Sequence, residues 1–358
     1  MPLLPLLGHE ALRERLRRAF ERGALPQSLL LHGEEGIGKQ RLALWLGQLL
    51  LCEGTDKPCG ACPQCRYSAE LSHPDLVWVF PRERLKDSDP SLVDIKNDVA
   101  QGTQERMKTS GLYAPPSGSD GLYVATTRLL VHLASVTPAM ARRKVFVVGQ
   151  AERMVPQESA KEAANAFLKL LEEPPHDTFI ILTSSAPGAL LPTIRSRVVS
   201  LRMAPLSDGE VEKWLADPVV VKSLEKQDLP AALDERVRLA AGAPGRLLGS
   251  IASSAAAETA ERILEVALSG DRGRLLKAAL AQKPAGARGG FSDVLEALSI
   301  ALHRRSRQAV ERDDEVTARN AARAMDLVEA SKAMAGGNVN PQLITASLLH
   351  ELTRVLAS

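Results

Sequence analysis

A glycine-rich segment near the start of the chain has the residue types and spacing of a phosphate-binding loop. Backbone N–H groups of its glycines would surround phosphates, and its lysine would reach the outer ones. The residues in these positions are Gly33, Gly36, Gly38 and Lys39. The next position is normally Ser or Thr, whose hydroxyl binds magnesium, but here it is Gln40, whose longer side chain places its oxygen wrongly.

The second half of such a site is an acidic residue after a buried strand, which holds the metal and orients the attacking water. The matching strand is the apolar run 144–148, and it is followed by Gly149 and Gln150 instead of carboxylates. The first acid downstream, Glu152, comes too late in the chain. We therefore expect nucleotide to bind without hydrolysis or not to bind, and an ordinary glycine-rich turn is the less favoured alternative.

All cysteines of the chain lie close together in the sequence, at Cys52, Cys59, Cys62 and Cys65. Four thiolates form the ligand set of a closed structural zinc site, which has no open position for catalysis. Two alternatives are four free buried cysteines and a redox-active Cys-x-x-Cys pair. Three evenly spaced thiols with a fourth nearby favour zinc over both.

Composition limits the class of protein. The chain has 358 residues, which predicts two or three domains, and 45 Lys and Arg against 43 Asp and Glu give a net charge of +2. A stand-alone DNA-binding protein normally shows a larger basic excess. No apolar run reaches a membrane span, and the apolar start at 1–8 precedes its charged residues, the wrong order for a secretion signal. We expect a cytoplasmic protein.

The elements that must position these residues alternate in type. Short apolar runs at 28–32, 76–80, 145–148 and 179–183 alternate with helical patterns at 9–23, 41–51, 126–135 and 157–171. This alternation predicts a parallel α/β sheet. The stretch 82–122 is polar and rich in Ser, Gly, Asp and Pro, and we interpret it as a surface insertion, partly mobile and without an assigned role.

After residue 205 the pattern becomes helical. Ser207 and Glu210 form a capping-box pattern, a further helix is predicted at 233–241, and several helices follow from about residue 254. These patterns predict three domains. Their bounds are 1–204 for an α/β domain, 205–252 for a small helical domain and 253–358 for a helical C-terminal domain.

Several motifs together resemble the bacterial clamp-loader family of AAA+ proteins, and most closely its delta-prime branch. These are the glycine-rich loop followed by the cysteines, Ser72-His-Pro-Asp75, the run from Ala164 to Pro175 and Thr193-Ile-Arg-Ser-Arg197. The resemblance covers about residues 8–250. Over 254–358 it depends on length, helical character and the segment Asn340-Pro-Gln-Leu343.

The resemblance implies an AAA+ α/β domain, a helical lid and a helical collar within a heteropentamer. That complex contains tau/gamma and delta subunits, belongs to the DNA polymerase III holoenzyme and loads a sliding clamp on primed DNA. This chain would be a non-hydrolysing subunit that supplies Arg197 as an arginine finger to a neighbour's ATP. Arginine suits that role because its planar fork matches phosphate oxygens. The family's cysteine after this arginine is Val198 here, a similarly small apolar residue.

The resemblance also implies two sensor-like positions, Thr183 at a strand end and Arg246 facing nucleotide from the lid. For Arg246 an ordinary helix-terminal arginine is an equal alternative, and Arg197 could likewise be a surface or ion-paired arginine. Glu172 and Glu173 could suggest a paired-carboxylate enzyme. A structural or interface role is the favoured interpretation, because they lie at a predicted helix C-terminus just before Pro174 and Pro175.

Two other functions compete with this interpretation. An active ATPase of the tau/gamma type would need Ser or Thr in place of Gln40 and an acid at Gly149 or Gln150. A zinc-dependent DNA-binding module is disfavoured by the small net charge and by 3% aromatic residues, which offer little base stacking.

Overall fold

The structure is a computed structural model that describes most of the chain. The described residues are 3–4, 6–87, 89–108, 111, 120–154, 161–225, 229–249, 254–282, 290–336 and 339–356. They form two compact units, the first ending at Leu248 and the second beginning at Gly249. Within the described part of the chain, no helix is both long enough and apolar enough to cross a bilayer. The finer division at 204/205 stays a prediction.

A five-stranded parallel sheet forms the centre of the first unit, with strand order β2-β3-β4-β1-β5. The strands are β1 Ser28–His32, β2 Leu76–Val79, β3 Lys144–Val148, β4 Thr178–Ser184 and β5 Val199–Arg202. All residues of β3 and β4 are buried, as expected for strands covered on both faces. The predicted parallel α/β architecture is confirmed.

Strand β5 was not predicted from the sequence. It pairs with β1 at the edge of the sheet, and its residues are mostly exposed, with Val199 at 48%. An exposed edge strand of this kind lacks the continuous apolar run that marks the other four strands.

Eleven helices are described in or at the end of the first unit. They are α1 Glu10–Glu21, α2 Lys39–Leu51, α3 Pro63–Ala69, α4 Leu92–Met107, α5 Val124–Ser135, α6 Lys161–Glu172, α7 Pro192–Arg195, α8 Asp208–Leu215, α9 Pro218–Leu224, α10 Leu233–Ala240 and α11 Arg246–Gly249. Helix α2 packs on one face of the sheet, and α5 and α6 pack on the other. Helix α2 is buried around most of its circumference, which places its N-terminus firmly beside the end of β1.

The predicted start of α8 is confirmed in atomic detail. The Ser207 hydroxyl accepts a hydrogen bond from the Glu210 N–H at 3.4 Å, and the Glu210 carboxylate accepts one from the Ser207 N–H at 2.8 Å. This reciprocal pairing satisfies N–H groups that a helix start would otherwise leave unpaired.

The stretch 82–122 contains helix α4, which its polar composition did not predict. Ser91 and Asp94 cap the helix. Arg82 Nε, outside the helix, donates a hydrogen bond to the Asp98 carboxylate at 3.0 Å. Arg82 and Gly121 exchange backbone hydrogen bonds, so the two ends of the insertion meet. The mobility expected for the Ser- and Pro-rich part falls on residues 112–119, which lie outside the described residues.

The described residues of the second unit form helices, as predicted. They are α12 Ser254–Ser269, α13 Arg272–Leu280, α14 Gly290–Glu311, α15 Glu315–Gly336 and α16 Pro341–Leu356. One apolar cluster joins them, including Leu295, Leu302 and Leu349. The break expected near Gly270 lies between α12 and α13.

Candidate functional site

The glycine-rich loop connects β1 to α2, as its pattern predicted. Gly36 and Gly38 have positive φ angles of 83° and 94°, a backbone conformation that favours glycine. The ammonium of Lys39 donates to the carbonyl oxygens of Gly33 at 2.9 Å and Glu34 at 2.6 Å. Burial is the main cause that lowers the pKa of Lys39 to about 8; the nearby Arg246 acts in the same direction, and neighbouring carboxylates oppose the shift. The lysine is thus held by the loop's own backbone.

The backbone that precedes α11 lies directly on this loop. The N–H of Gly245 donates to the carbonyl oxygen of Gly36 at 2.9 Å, and a Cβ on Gly36 would stand 2.7 Å from the Arg246 nitrogen. The Arg246 guanidinium contacts the Glu34 carboxylate at 2.9 Å. The structure therefore brings the sensor-like Arg246 to the loop, where it pairs with a residue of the loop itself.

Gln40 and Gly149, the two positions where magnesium ligands would be expected, lie against each other. The amide oxygen of Gln40 accepts a hydrogen bond from the Trp78 indole N–H at 2.9 Å. A Cβ on Gly149 would stand 2.6 Å from that same oxygen. The Gln40 side chain therefore fills the space beside Gly149, and a buried tryptophan holds it there.

Gln150 and Thr183 meet at the ends of β3 and β4. The backbone N–H of Gln150 donates to the Thr183 hydroxyl at 3.1 Å. One carboxylate oxygen of Glu152 accepts from the Ser185 N–H at 2.9 Å. Within the described ranges, the Gln150 amide oxygen and the second oxygen of Glu152 are buried without a hydrogen-bond partner. The structure thus brings Gln150 and Thr183 together, and the carboxylate of Glu152 is hydrogen-bonded to the backbone.

Two residues of this region were not identified from the sequence. Trp78 donates the hydrogen bond to Gln40. The sequence predicts a strand at 76–80 from its apolar run, and this pattern does not indicate that Trp78 contacts Gln40. Arg41 follows Gln40, and its Nε and Nη1 are buried without a hydrogen-bond partner among the described residues. Burial lowers the pKa of Arg41 to about 10. Both line a cavity beside the loop.

The four cysteines form one compact cluster. The sulfur atoms of Cys59 and Cys65 lie 4.0 Å apart, those of Cys52 and Cys62 lie 3.9 Å apart, and all four lie within 4.8 Å of one another. A tetrahedral site with zinc–sulfur bonds of about 2.3 Å requires sulfur separations of about 3.8 Å. The cluster therefore suits a structural zinc ion.

Local backbone geometry arranges these thiols. Cys52 follows the end of α2, and its sulfur accepts hydrogen bonds from the N–H groups of Gly54 and Cys59, each at 3.3 Å. A Cβ on Gly54 would lie 2.8 Å from the Cys59 sulfur, so a larger residue would collide with the cluster. Cys62 caps α3, and its sulfur accepts from the Cys65 N–H at 3.4 Å. Such N–H donors stabilise the charge of metal-bound thiolates.

The His-Pro-Asp motif joins the cysteine cluster to the sheet. The buried Asp75 carboxylate accepts hydrogen bonds from three successive backbone N–H groups, of residues 139, 140 and 141, at 2.7 to 2.8 Å. His73 accepts from the Asp75 N–H at Nδ1, so its Nε2 carries the proton and donates to Gln64 at 2.6 Å. Gln64 lies between two cysteines of the cluster. The motif is structural in this chain.

Replacing Asp75 with alanine should destabilise the first unit by about 3 to 5 kcal/mol, because three successive backbone N–H groups would lose the charged acceptor that the buried Asp75 side chain provides. Asp75→Asn keeps one oxygen acceptor and should lose less. Chemical denaturation, followed by circular dichroism, measures the change. Asp208→Ala, at an exposed helix start, is the matched control and should change stability by less than about 1 kcal/mol. Equal stability of Asp75→Ala and the control would contradict this interpretation.

Arg197 follows Ser196, the C-cap of α7, and it is absent from the lining of the cavity beside the glycine-rich loop. Its Nε contacts the Glu172 carboxylate at 2.9 Å, and its Nη1 donates to the Thr193 carbonyl at 3.0 Å. Val198 packs against the sheet core, as a small apolar residue should. Among the described residues, Arg197 therefore does not belong to the set that lines the cavity beside the glycine-rich loop.

Comparison with known proteins gives the following similarities. The family model described as "DNA polymerase III, delta subunit" matches residues 8–207, more than half of the chain. The DNA polymerase III subunit delta' of Pseudomonas aeruginosa is 34% identical over 60% of this chain and 52% of that protein. The subunit delta' of Bacillus subtilis is 29% identical over 56% of this chain and 49% of that protein. The matched region thus spans about half the length of these relatives.

Among solved structures, a gamma subunit-related protein from Thermotoga maritima aligns with 96% of this chain and 98% of that chain. The sequence identity is 18% and the TM-score is 0.42.

Proposed function

This chain belongs to the DNA polymerase III delta' subunit family, and from that premise we propose that it is a non-hydrolysing subunit of a clamp loader. It works with tau/gamma and delta subunits in the cytoplasm and helps to place a sliding clamp on primed DNA. The first unit supplies the AAA+ α/β domain and a helical lid. The helices from residue 253 onward form the collar that joins it to its partners.

One observation carries the non-hydrolysing part of the proposal, the contact of Gln40 with Trp78 and Gly149. Hydrolysis needs a hydroxyl at residue 40 and a carboxylate after β3 to hold magnesium and orient water. Here an amide oxygen engaged by an indole N–H occupies that space, and Gly149 offers no side chain. Lys39, which would reach the phosphates, is bonded to the loop's own carbonyls.

The isolated chain should show no ATP turnover above background, with or without primed DNA. Gln40→Thr should remain inactive as well, because Gly149 and Gln150 still supply no carboxylate. Release of inorganic phosphate measures turnover, and an active tau/gamma subunit from the same organism serves as the positive control. Robust DNA-stimulated hydrolysis by the isolated wild-type chain would favour the tau/gamma alternative instead.

Arg197 is proposed as the arginine finger that this subunit lends to its neighbour. It does not line the cavity beside the chain's own glycine-rich loop, and it is partly exposed, with 30% of its side chain accessible. A guanidinium supplied in trans neutralises charge that develops on the transferred phosphoryl group.

The four-cysteine cluster is proposed to hold a structural zinc ion through Cys52, Cys59, Cys62 and Cys65. Its sulfur separations fit tetrahedral coordination, and all four positions are taken by protein ligands. Bound zinc would fix the short connection between α2 and α3. We assign it no catalytic role.

A further inference from the structure

The guanidinium of Arg197 is held by acceptors from its own chain on one side. Resting on the proposed arginine finger, we infer that Glu172 is a positioning residue, which orients this guanidinium so that its remaining edge meets the neighbouring subunit's nucleotide. Glu172 is the last residue of α6, whereas Arg197 follows α7, so the contact joins two separate elements.

The three nitrogen atoms of the guanidinium do not make the same number of hydrogen bonds. Nε donates to the Glu172 carboxylate at 2.9 Å, and Nη1 donates to the Thr193 carbonyl at 3.0 Å and to the Ser196 hydroxyl at 3.4 Å. No residue in the described part of the chain accepts a hydrogen bond from Nη2. Two in-plane hydrogen bonds from different nitrogens, together with the covalent bond to Cδ, restrict the orientation of this planar group. Nη2 is therefore the atom available for a phosphate oxygen.

The ion pair between Glu172 and Arg197 is strong enough to orient the guanidinium but too weak to keep it from binding a phosphate. The Glu172 side chain is 57% exposed and that of Arg197 is 30% exposed, and such exposed pairs shift an equilibrium by about fivefold at most. The C-terminus of α6 adds partial negative charge beside the guanidinium. A nucleotide phosphate carries more negative charge than the Glu172 carboxylate, so Arg197 can still bind it. Glu172 narrows the orientations that the arginine samples beforehand.

The chain provides a matched control beside Glu172. Glu173 is the adjacent carboxylate, it is exposed, and it makes no ion pair within the described ranges. Substituting either glutamate removes the same charge from the same surface. Only Glu172 contacts Arg197.

The first experiment measures steady-state ATP hydrolysis by the reconstituted clamp loader. Glu172→Ala should lower kcat about two- to fivefold with KM for ATP nearly unchanged, Glu172→Gln should be intermediate, and Glu173→Ala should match wild type. Combined with Arg197→Ala, the Glu172→Ala change should have no further effect, because its partner is gone. A full additional loss in the double variant would overturn the inference, as would a wild-type rate for Glu172→Ala.

The second experiment tests the contact in the isolated chain, without any loader. Phenylglyoxal modifies accessible arginines, and peptide mass spectrometry would compare Arg197 with its exposed neighbour Arg195 as internal reference. Glu172→Ala should speed modification of Arg197 about two- to fivefold and leave Arg195 unchanged, whereas Glu173→Ala should change neither. Unchanged modification of Arg197 refutes the positioning role. A loader unaffected by Arg197→Ala refutes the proposed finger instead, so the two failures are distinguishable.

Discussion

Arg197→Ala should slow ATP hydrolysis by the reconstituted clamp loader at least about tenfold. Arginine fingers in other nucleotide-hydrolysing enzymes raise kcat by about 10³- to 10⁵-fold. The loss arises because charge on the transferred phosphoryl group of the neighbouring subunit would no longer be neutralised. The substitution should leave the isolated chain folded, because Arg197 is partly exposed and its ion pair with Glu172 is exposed as well. Steady-state phosphate release by the complete complex measures the effect.

Two further variants identify the physical cause of that loss. Arg195→Ala removes an exposed arginine of the same segment and should leave the rate unchanged. Arg197→Lys keeps the positive charge but loses the planar fork, so it should recover only a small part of the rate. Assembly of each variant is checked by gel filtration before kinetics. A complex that assembles normally with Arg197→Ala and hydrolyses ATP at the wild-type rate would refute the finger.

The elements of the sheet could be predicted where burial makes the sequence regular. Strand β3 is apolar throughout because both faces are covered, and Ser207 with Glu210 marks a helix start by local hydrogen bonds alone. Strand β5 and helix α4 were missed for the opposite reason. Strand β5 is exposed at the edge, and α4 buries only a narrow apolar stripe that includes Ile95 and Val99, while Arg82 contacts its Asp98 from outside the helix.

The same distinction holds for the candidate site. The glycine pattern predicts the loop between β1 and α2 because the required backbone conformation is local. The partner of Gln40 could not be predicted, since Gln40 lies in helix α2 and Trp78 reaches it from strand β2. Likewise, the glutamate pair at 172 and 173 looks symmetric in the sequence, whereas only Glu172 lies within reach of Arg197. Contacts between distant elements depend on the assembled sheet.

Cys62→Ser should remove zinc from the protein and lower the stability of the first unit. Structural zinc in small peptides contributes about 10 kcal/mol, and within a larger folded unit we expect a loss of at least about 3 kcal/mol. Serine is informative at this position because Cys62 caps α3 through its side chain, and serine is also a good N-cap. The variant thus keeps the cap and loses the metal ligand. Zinc content by emission spectrometry and thermal unfolding measure the two effects.

Ala61→Ser is the matched control, because it places the same hydroxyl on the adjacent exposed residue and leaves all four sulfur atoms in place. It should retain zinc and unfold at the wild-type temperature. A strong chelator should lower the unfolding temperature of wild type and of this control, and should have no further effect on Cys62→Ser, which has already lost the ion. Wild-type protein that purifies without zinc and unfolds identically with and without chelator would show that the cluster packs as free thiols. In that case the connection between α2 and α3 would be stabilised without metal, by the hydrogen bonds that backbone N–H groups donate to the sulfur atoms.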